Sequence, residues 1–274
     1  MKKILTLATL AALSASVATA QETPLWLRQA AISPDGSTIA FSSKGDIYPV
    51  SSKGGEARQL TTNEAFDGNP VWSPDGQKIA FNSDREGALD IYVISSKGGS
   101  PKRLTTTPVT EKPMAFLDNN TVLFQSNVRP SAESMQFSNR VFTQVYKVAV
   151  DGQSRPQQMT SWTMEDLCIS PDGQKWLFTD RKGYEDEWRK HHTSVITRDV
   201  WCYDTQAKSF TKITDFEGED RNAVWSQDGK TIYYLSEQKA ITIFSVVHLD
   251  RRMTCNLPTL ICIQYVISLV LTTV

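Results

Sequence analysis

Histidine and cysteine, which most often build catalytic and metal sites, are scarce in this chain. Three histidines and four cysteines occur among 274 residues, and no Cys-x-x-Cys pair or His-Glu-x-x-His motif is present. The sequence also lacks a Gly-x-Ser-x-Gly nucleophile turn and a glycine-rich phosphate loop ending in Lys and Ser or Thr. We therefore nominate no catalytic, cofactor-binding or metal-ligating residue and expect no cofactor.

An excess of charge of one sign is also missing. The 29 basic and 30 acidic residues leave a net charge of −1. Basic residues form no extended cluster, so the sequence predicts no nucleic-acid partner.

The first 20 residues have the three parts of a secretory signal peptide. Lys2 and Lys3 precede an apolar run from Ile4 to about Val17, and Ala18-Thr19-Ala20 supplies the small residues of a cleavage site. The run is shorter than the roughly 20 residues of a membrane-spanning helix. We predict cleavage after Ala20 and export to the periplasm.

A pattern of about 40 residues recurs along the chain. In its clearest copy, Ser73-Pro74-Asp75-Gly76 predicts a turn, Ile79-Ala80-Phe81 and Asp90-Ile91-Tyr92 predict strands, and Leu104-Thr105 ends a fourth strand. The turn sequence Ser33-Pro34-Asp35-Gly36 lies 40 residues earlier. Four short antiparallel strands per repeat are typical of a β-propeller blade.

We therefore predict an all-β fold, a propeller of four-stranded antiparallel blades within residues 21–238. The repeats place blades at about 28–62, 70–106, 113–161, 167–215 and 222–238, which is about four and a half blades because the last one breaks off. Alternation of Ile79 and Phe81 with their neighbours predicts strands with one buried face. The recurring aromatic residues are predicted to fill space between blades rather than to form a ligand-binding stripe: Tyr48, Trp72, Tyr92, Tyr146, Trp201 and Trp225.

Two blades contain insertions. Residues 127–140 interrupt the third blade and predict a loop on one rim, and residues 181–194 interrupt the fourth. The second insertion holds possible metal ligands by residue type: Glu185, Glu187, His191 and His192. Because neighbouring histidines of an extended segment point to opposite sides, their spacing does not favour a metal site. We expect a solvated charged loop whose arginines pair with its own acids or with another domain.

Two of the cysteines, Cys168 and Cys202, fall on repeat positions that pack in other copies. Free cysteine is among the most buried residue types, so both are predicted to be small buried hydrophobic residues.

The repeat pattern stops after Gln238. Residues 239–274 contain no glycine, and residues 257–274 are almost wholly apolar. A C-terminal membrane anchor is one interpretation, because 18 such residues are near the lower limit of a span. A shifted reading frame or gene boundary is the other, and the change of composition within a blade favours it.

The motifs Ser-Pro-Asp-Gly, Ile-Ala-Phe, Asp-Ile-Tyr and Leu-Thr-Thr resemble the propeller repeat of TolB-type periplasmic proteins and tricorn-type proteases. The segment that begins Asp180-Arg181-Lys182-Gly183-Tyr184-Glu185 and ends Arg198-Asp199-Val200-Trp201 is more similar to the N-terminal propeller of bacterial tricorn-like serine proteases. This resemblance covers about residues 21–238. It implies a longer parent with a six-bladed propeller, a second propeller, a PDZ domain and a catalytic region, so that the chain is a truncated form without catalytic residues.

Three functions follow from these observations. The first is the non-catalytic propeller of a tricorn-like serine peptidase, for which the resemblance implies a role in peptide access; its partners would be peptides and the missing protease domains. The second is a stand-alone TolB-like periplasmic protein-binding scaffold. The third, an enzyme working from the central channel, would need clustered acids or a metal at the channel mouth, and the sequence places neither. We expect no activity from the chain alone and a membrane partner only if the tail is an anchor.

Overall fold

Strands account for all the regular structure described. The computed structural model describes residues 27–128, 142–181 and 196–238, together with the backbone of residues 243–248 and 251–257. The strands are β1 Arg28–Ile32, β2 Thr38–Ser43, β3 Asp46–Ser51, β4 Asp67–Trp72, β5 Lys78–Glu86, β6 Ala88–Ser95, β7 Lys102–Arg103, β8 Glu111–Asp118, β9 Thr121–Ser126, β10 Gln144–Ala149, β11 Gln157–Thr160, β12 Glu165–Ile169, β13 Lys175–Thr179, β14 Val200–Asp204, β15 Ser209–Lys212, β16 Asp220–Trp225, β17 Thr231–Ser236, β18 Ile243–His248 and β19 Arg251–Leu257. Within these ranges no helix is long and apolar enough to cross a membrane.

The strands form five antiparallel sheets that follow one another along the chain. The first sheet has the order β1-β2-β3, and the other four are β4 to β7, β8 to β11, β12 to β15 and β16 to β19. The first strands of successive sheets lie beside each other. This is the arrangement of inner strands in a propeller. The predicted all-β propeller of four-stranded antiparallel blades is confirmed.

Two sheets differ from the repeat pattern in the sequence. In the first sheet, the N–H groups of Arg58 and Leu60 donate to Pro49 O and Ile47 O at 3.1 and 2.8 Å. This segment follows the path of a fourth strand without forming a regular one. In the fifth sheet, the backbone continues beyond residue 238 into β18 and β19. Ile243, Val246 and Val247 have high strand propensity, although the turn signals of the other repeats are missing there.

A repeated hydrogen-bond network explains the Ser-x-Asp-Gly turn. Ser73 Oγ donates to Asp75 Oδ1 at 2.6 Å and accepts the N–H of Lys78 at 2.9 Å, while Asp75 Oδ1 accepts the N–H of Gln77 at 3.0 Å. The same bonds recur around Ser33, Ser170 and Ser226. They hold the pKa of Asp35 down at about 2. The turns therefore depend on the serine and aspartate as much as on proline and glycine.

The hydrophobic core lies between neighbouring sheets. Ile79 and Phe81 pack against Ala40 and Ile47 of the first sheet. Ala80, which lies between them, packs on the opposite side against residues of the third sheet, such as Phe124. The prediction of one buried face was therefore wrong, because each inner blade is covered by a neighbour on both sides.

Five of the six recurring aromatic residues pack in these cores between sheets, as predicted, and Tyr48 does not. Tyr92 and Tyr146 are buried, and Trp72, Trp201 and Trp225 pack against the clusters between sheets. Tyr48 packs against the cluster of the first sheet. Three of the tyrosines also stack on a phenylalanine of their own sheet, with ring centroids 5.7 to 5.9 Å apart.

Ile32 marks the outward face of the first sheet. Trp72, Phe116, Ile169 and Trp225 occupy the same register position in the other sheets, and each packs into the core shared with the preceding sheet. Ile32 instead is 61% exposed. The position is therefore buried only where a preceding sheet lies against it.

Candidate functional site

A cavity of about 300 Å³ lies where the five first strands meet, and we call it the central cavity. It is lined by Gln29, Ala30, Asn69, Pro70, Val71, Lys112, Pro113, Met114, Gln125, Asp166, Leu167 and Asn222. All but Gln125 belong to β1, β4, β8, β12 or β16. Its volume is at the lower end of the range of about 300 to 1,000 Å³ that is usual for small-ligand sites.

A β-bulge in each first strand shapes the cavity wall. In β4, Gly68 pairs with Asn82 and Val71 with Ala80, so that two residues, Asn69 and Pro70, oppose the single residue Phe81. The same irregularity occurs in β1, β8, β12 and β16. A bulge re-aims the side chains of its strand, and here the bulge residues reach the cavity.

The first bulge residue adopts a left-handed backbone conformation in four of the five strands. The φ angles are 54° for Gln29, 50° for Asn69, 49° for Asp166 and 55° for Asn222. We call these four residues the bulge ring. The third sheet has Pro113 at this position, and the pyrrolidine ring holds φ near −65°.

Hydrogen bonds tie the bulge ring to the wall between sheets. Gln29 Oε1 accepts the N–H of Asn69 at 2.9 Å, and the N–H of Asn222 donates to Thr179 Oγ1 at 3.2 Å. Asn69 Nδ2 donates to Asn82 Oδ1 at 3.2 Å. Gly68 makes the first contact possible, because a Cβ atom there would lie 2.8 Å from Gln29 Oε1.

One pair of opposite charges lines the cavity. Lys112 Nζ lies 4.0 Å from Asp166 Oδ1, with the two side chains 45% and 25% exposed. The other lining residues are amides or apolar. The cavity wall therefore carries no net formal charge.

Three buried acids occupy one register position at the start of the first strands. Asp67, Glu111 and Asp220 lie opposite Ser83, Ser126 and Ser236, and each acid is at most 1% exposed. Asp67 accepts two hydrogen bonds from Arg85 Nη2 at 2.8 and 2.9 Å. The residues that correspond to Arg85 in the other two sheets are Val128 and Gln238. Only one of the three acids therefore has an arginine from its own blade.

The two acids without this arginine have perturbed carboxyl groups. Burial raises the pKa of Glu111 to about 7, and the nearby charge of Asp90 adds to the rise. Glu111 Oε1 accepts the hydroxyl of Thr107 at 2.7 Å, whereas its Oε2 is buried without a hydrogen-bond partner. Burial also raises the pKa of Asp220. These acids are enclosed in the wall and do not line the cavity.

The described ends of the fourth-blade insertion form an ion-pair network. Arg181 Nη1 lies 2.6 Å from Glu165 Oε1, and Arg198 lies 3.5 Å from Glu165 Oε2 and 3.3 Å from Glu219 Oε1. These contacts join the fourth and fifth sheets. The possible metal ligands Glu185, Glu187, His191 and His192 lie outside the described residues, as do the predicted signal peptide, most of the third-blade insertion and residues 258–274.

The sequence predicted no site residue, and the central cavity was missed. Within the ranges that the structure describes, no group of three or more His, Cys, Asp or Glu side chains could hold a metal ion. Cys168 and Cys202 pack in the cluster between the fourth and fifth sheets, and burial raises the pKa of both thiols. The signal that the sequence offered for the cavity wall was a polar residue at the first bulge position of four repeats, such as Asn69 or Asn222.

The sequence matches a family model described as the tricorn protease N-terminal beta propeller domain over residues 24–254. Dipeptidyl-peptidase 5 of Porphyromonas gingivalis is 26% identical over 256 residues, which is 76% of this chain and 37% of that protein. The chain thus spans little more than a third of the length of this relative.

The solved structures with a similar fold include a putative TolB and the tricorn protease. A putative TolB from Agrobacterium tumefaciens aligns with a TM-score of 0.65 and 19% identity over 84% of this chain and 80% of that chain. The tricorn protease aligns with a TM-score of 0.64 and 21% identity over 84% of this chain and 22% of that one. At these identities the likeness concerns the fold alone.

Proposed function

The chain belongs to the family of tricorn protease N-terminal β-propeller domains, and we propose that it is the non-catalytic propeller of a peptidase. In this proposal the central cavity of the propeller admits or holds peptides. The observation that carries the proposal is the cavity itself, since all five sheets contribute residues to its wall. Hydrolysis would be performed by a catalytic region outside this chain.

Peptide binding by the purified chain tests the proposal. The fluorescence anisotropy of fluorescein-labelled peptides from a casein digest should rise when the chain is added. Met114→Trp should weaken this binding strongly, because Met114 lines the cavity and the indole would fill part of it. The matched control is Met159→Trp, because Met159 lies on the outer strand β11 and is 38% exposed. Equal binding by the two variants would contradict the role of the cavity, and hydrolysis of peptides by the chain alone would contradict the non-catalytic role.

A second candidate is a stand-alone protein-binding scaffold similar to TolB. The alignment that spans 80% of the TolB chain favours it. A scaffold would bind intact proteins on its rims, so Met114→Trp would leave such complexes unchanged. Retained protein binding without any peptide binding would favour this candidate.

Export is part of the same proposal. The composition of residues 1–20 supports a cleaved leader. In a bacterial host, the protein should collect in the periplasm with Gln21 as its first residue. Mass spectrometry of the purified protein measures this directly, and a product that retains Met1 in the cytoplasm would contradict it.

A further inference from the structure

The bulge ring keeps polar side chains where the backbone favours glycine. A left-handed conformation brings Cβ close to the following carbonyl oxygen, so most L-residues avoid it. Glycine adopts it without this penalty and occupies such positions in turns, for example at Gly36 and Gly76. Asparagine and aspartate tolerate the conformation better than other residues do, but glutamine has no such preference, and Gln29 also adopts it. The backbone conformation therefore accounts for asparagine and aspartate at these positions but not for Gln29.

The side chains of the bulge ring retain hydrogen-bonding capacity toward the cavity. A carboxamide has an acceptor oxygen and an NH₂ group with two donors. The wall uses the oxygen of Gln29 and the nitrogen of Asn69. Gln29 Nε2 and Asn69 Oδ1 remain as a donor and an acceptor at neighbouring positions of the ring.

A donor and an acceptor side by side match the backbone of an extended peptide, in which N–H and C=O groups alternate. The rest of the wall fits the same ligand. Val71, Met114 and Leu167 offer apolar contacts, and the charges of Lys112 and Asp166 offset each other. A strongly charged segment would lose its hydration without gaining a counter-charge.

We infer that the bulge ring binds an extended, uncharged peptide segment through its main-chain amides, with little dependence on side-chain sequence. This inference rests on the peptide binding proposed above. It adds the class of the ligand and the residues that form hydrogen bonds with it. Asn69 and Asn222 are the positions at which it is tested.

The test uses replacements in the bulge ring that should weaken peptide binding without lowering the stability of the fold. Asn69→Gly/Asn222→Gly removes two carboxamides and relieves two left-handed residues, and it also removes the hydrogen bond from Asn69 Nδ2 to Asn82 Oδ1. The relief offsets the lost hydrogen bond, so thermal stability should change little. Affinity for an acetylated and amidated, fluorescein-labelled Ala-Ser-Thr decapeptide should fall at least tenfold. The control is Lys208→Gly, because Lys208 has a φ of 51° outside the cavity. This replacement should not lower thermal stability, and it should leave binding unchanged.

A second measurement does not depend on the protein variants. The same decapeptide with alternate amides N-methylated keeps its side chains but loses half of its main-chain donors. Its affinity for the unaltered chain should also fall at least tenfold.

The outcomes separate this inference from the proposed function. One outcome is that casein peptides bind while the double glycine variant has the same affinity for the decapeptide as the unaltered chain has. In that case the bulge ring does not bind the peptide main chain, and only this inference fails. Equal affinity for the N-methylated peptide has the same meaning. If no peptide binds the unaltered chain, the proposed function fails and the inference fails with it.

Discussion

Replacing Glu111 by glutamine should remove a pH dependence from the stability of the propeller. The Glu111 carboxyl is 1% exposed, with Oε2 unpartnered and Val128 where the second sheet has Arg85. Its pKa rises from 4.5 to about 7, first because of burial and then because of the charge of Asp90. Opposing contributions come from the hydroxyls of Thr105 and Thr107 and from the charge of Arg103.

The sign and size of the effect follow from proton linkage. Below pH 4.5 the carboxyl is protonated in both the folded and the unfolded chain, so its contribution does not change. Between pH 4.5 and about 7 the unfolded chain releases the proton while the folded chain keeps it, so the free energy of unfolding falls as the pH rises. At about 1.4 kcal/mol per pKa unit, the loss reaches about 3 kcal/mol near pH 7 and then stays constant.

Urea denaturation followed by tryptophan fluorescence between pH 4.5 and 8.5 measures this effect. The unaltered chain should lose stability over the lower half of the range relative to Glu111→Gln, which binds no titrating proton and retains an oxygen to accept the Thr107 hydroxyl. Asp67→Asn is the matched control, since Asp67 has the same register position but pairs with Arg85. It should lower stability at pH 7.5. Parallel curves for the unaltered chain and Glu111→Gln would refute the reasoning.

Three further predictions concern the turns, the paired acid and the cysteines. Ser73→Ala should lower the free energy of unfolding by about 1–3 kcal/mol, because it leaves the half-buried Lys78 N–H and one oxygen of the turn aspartate without the Ser73 hydroxyl. Arg85→Met should cost about 3–5 kcal/mol at neutral pH, because it leaves the carboxylate of Asp67 buried without a counter-charge. Cys168 and Cys202 should react slowly with a disulfide reagent until the chain is unfolded, because burial raises the pKa of both thiols.

Each of these has its own control. Ser37→Ala removes an exposed hydroxyl that bonds the equivalent aspartate of the first sheet, and it should have a smaller effect than Ser73→Ala. Asp67→Asn added to Arg85→Met should recover most of the lost stability, and a purely additive loss would contradict the buried-charge explanation. The thiol measurement uses a chain with Cys255 and Cys262 replaced by serine, and rapid labelling of the folded form would show that the remaining thiols are accessible.

Local signals made the blades predictable from the sequence. Ser-Pro-Asp-Gly favours one turn because its side chains close their own hydrogen-bond network within six residues. The Asp-Ile-Tyr and Leu-Thr motifs are linked within one repeat, since Thr105 Oγ1 accepts the N–H of Ile91 at 2.9 Å and Arg103 pairs with Asp90 at 2.6 Å. Because these contacts lie within one repeat, they recur in other copies of it, and the sequence of the repeat predicts them.

The last two strands were not predictable in this way. Residues 243–257 lack the turn residues and the leading acid of the earlier repeats. β18 pairs with β17 and β19 pairs with β18, so each of the two depends on the strand already in place beside it. A strand can be recruited by an existing edge without carrying the local signal that marks the other copies.

The amino-acid sequence by itself determined the repeats, the turns between their first two strands and the strand order of the second, third and fourth sheets, because those interactions close over short stretches of chain. Only the tertiary structure decided that Gln29, Asn69, Asp166 and Asn222 surround one cavity and that Glu111 is buried without an arginine from its own blade. These residues come from different sheets, and their surroundings arise from the packing of whole blades against each other. A repeat pattern specifies each blade, but the residues at the centre acquire their environment only when the blades meet.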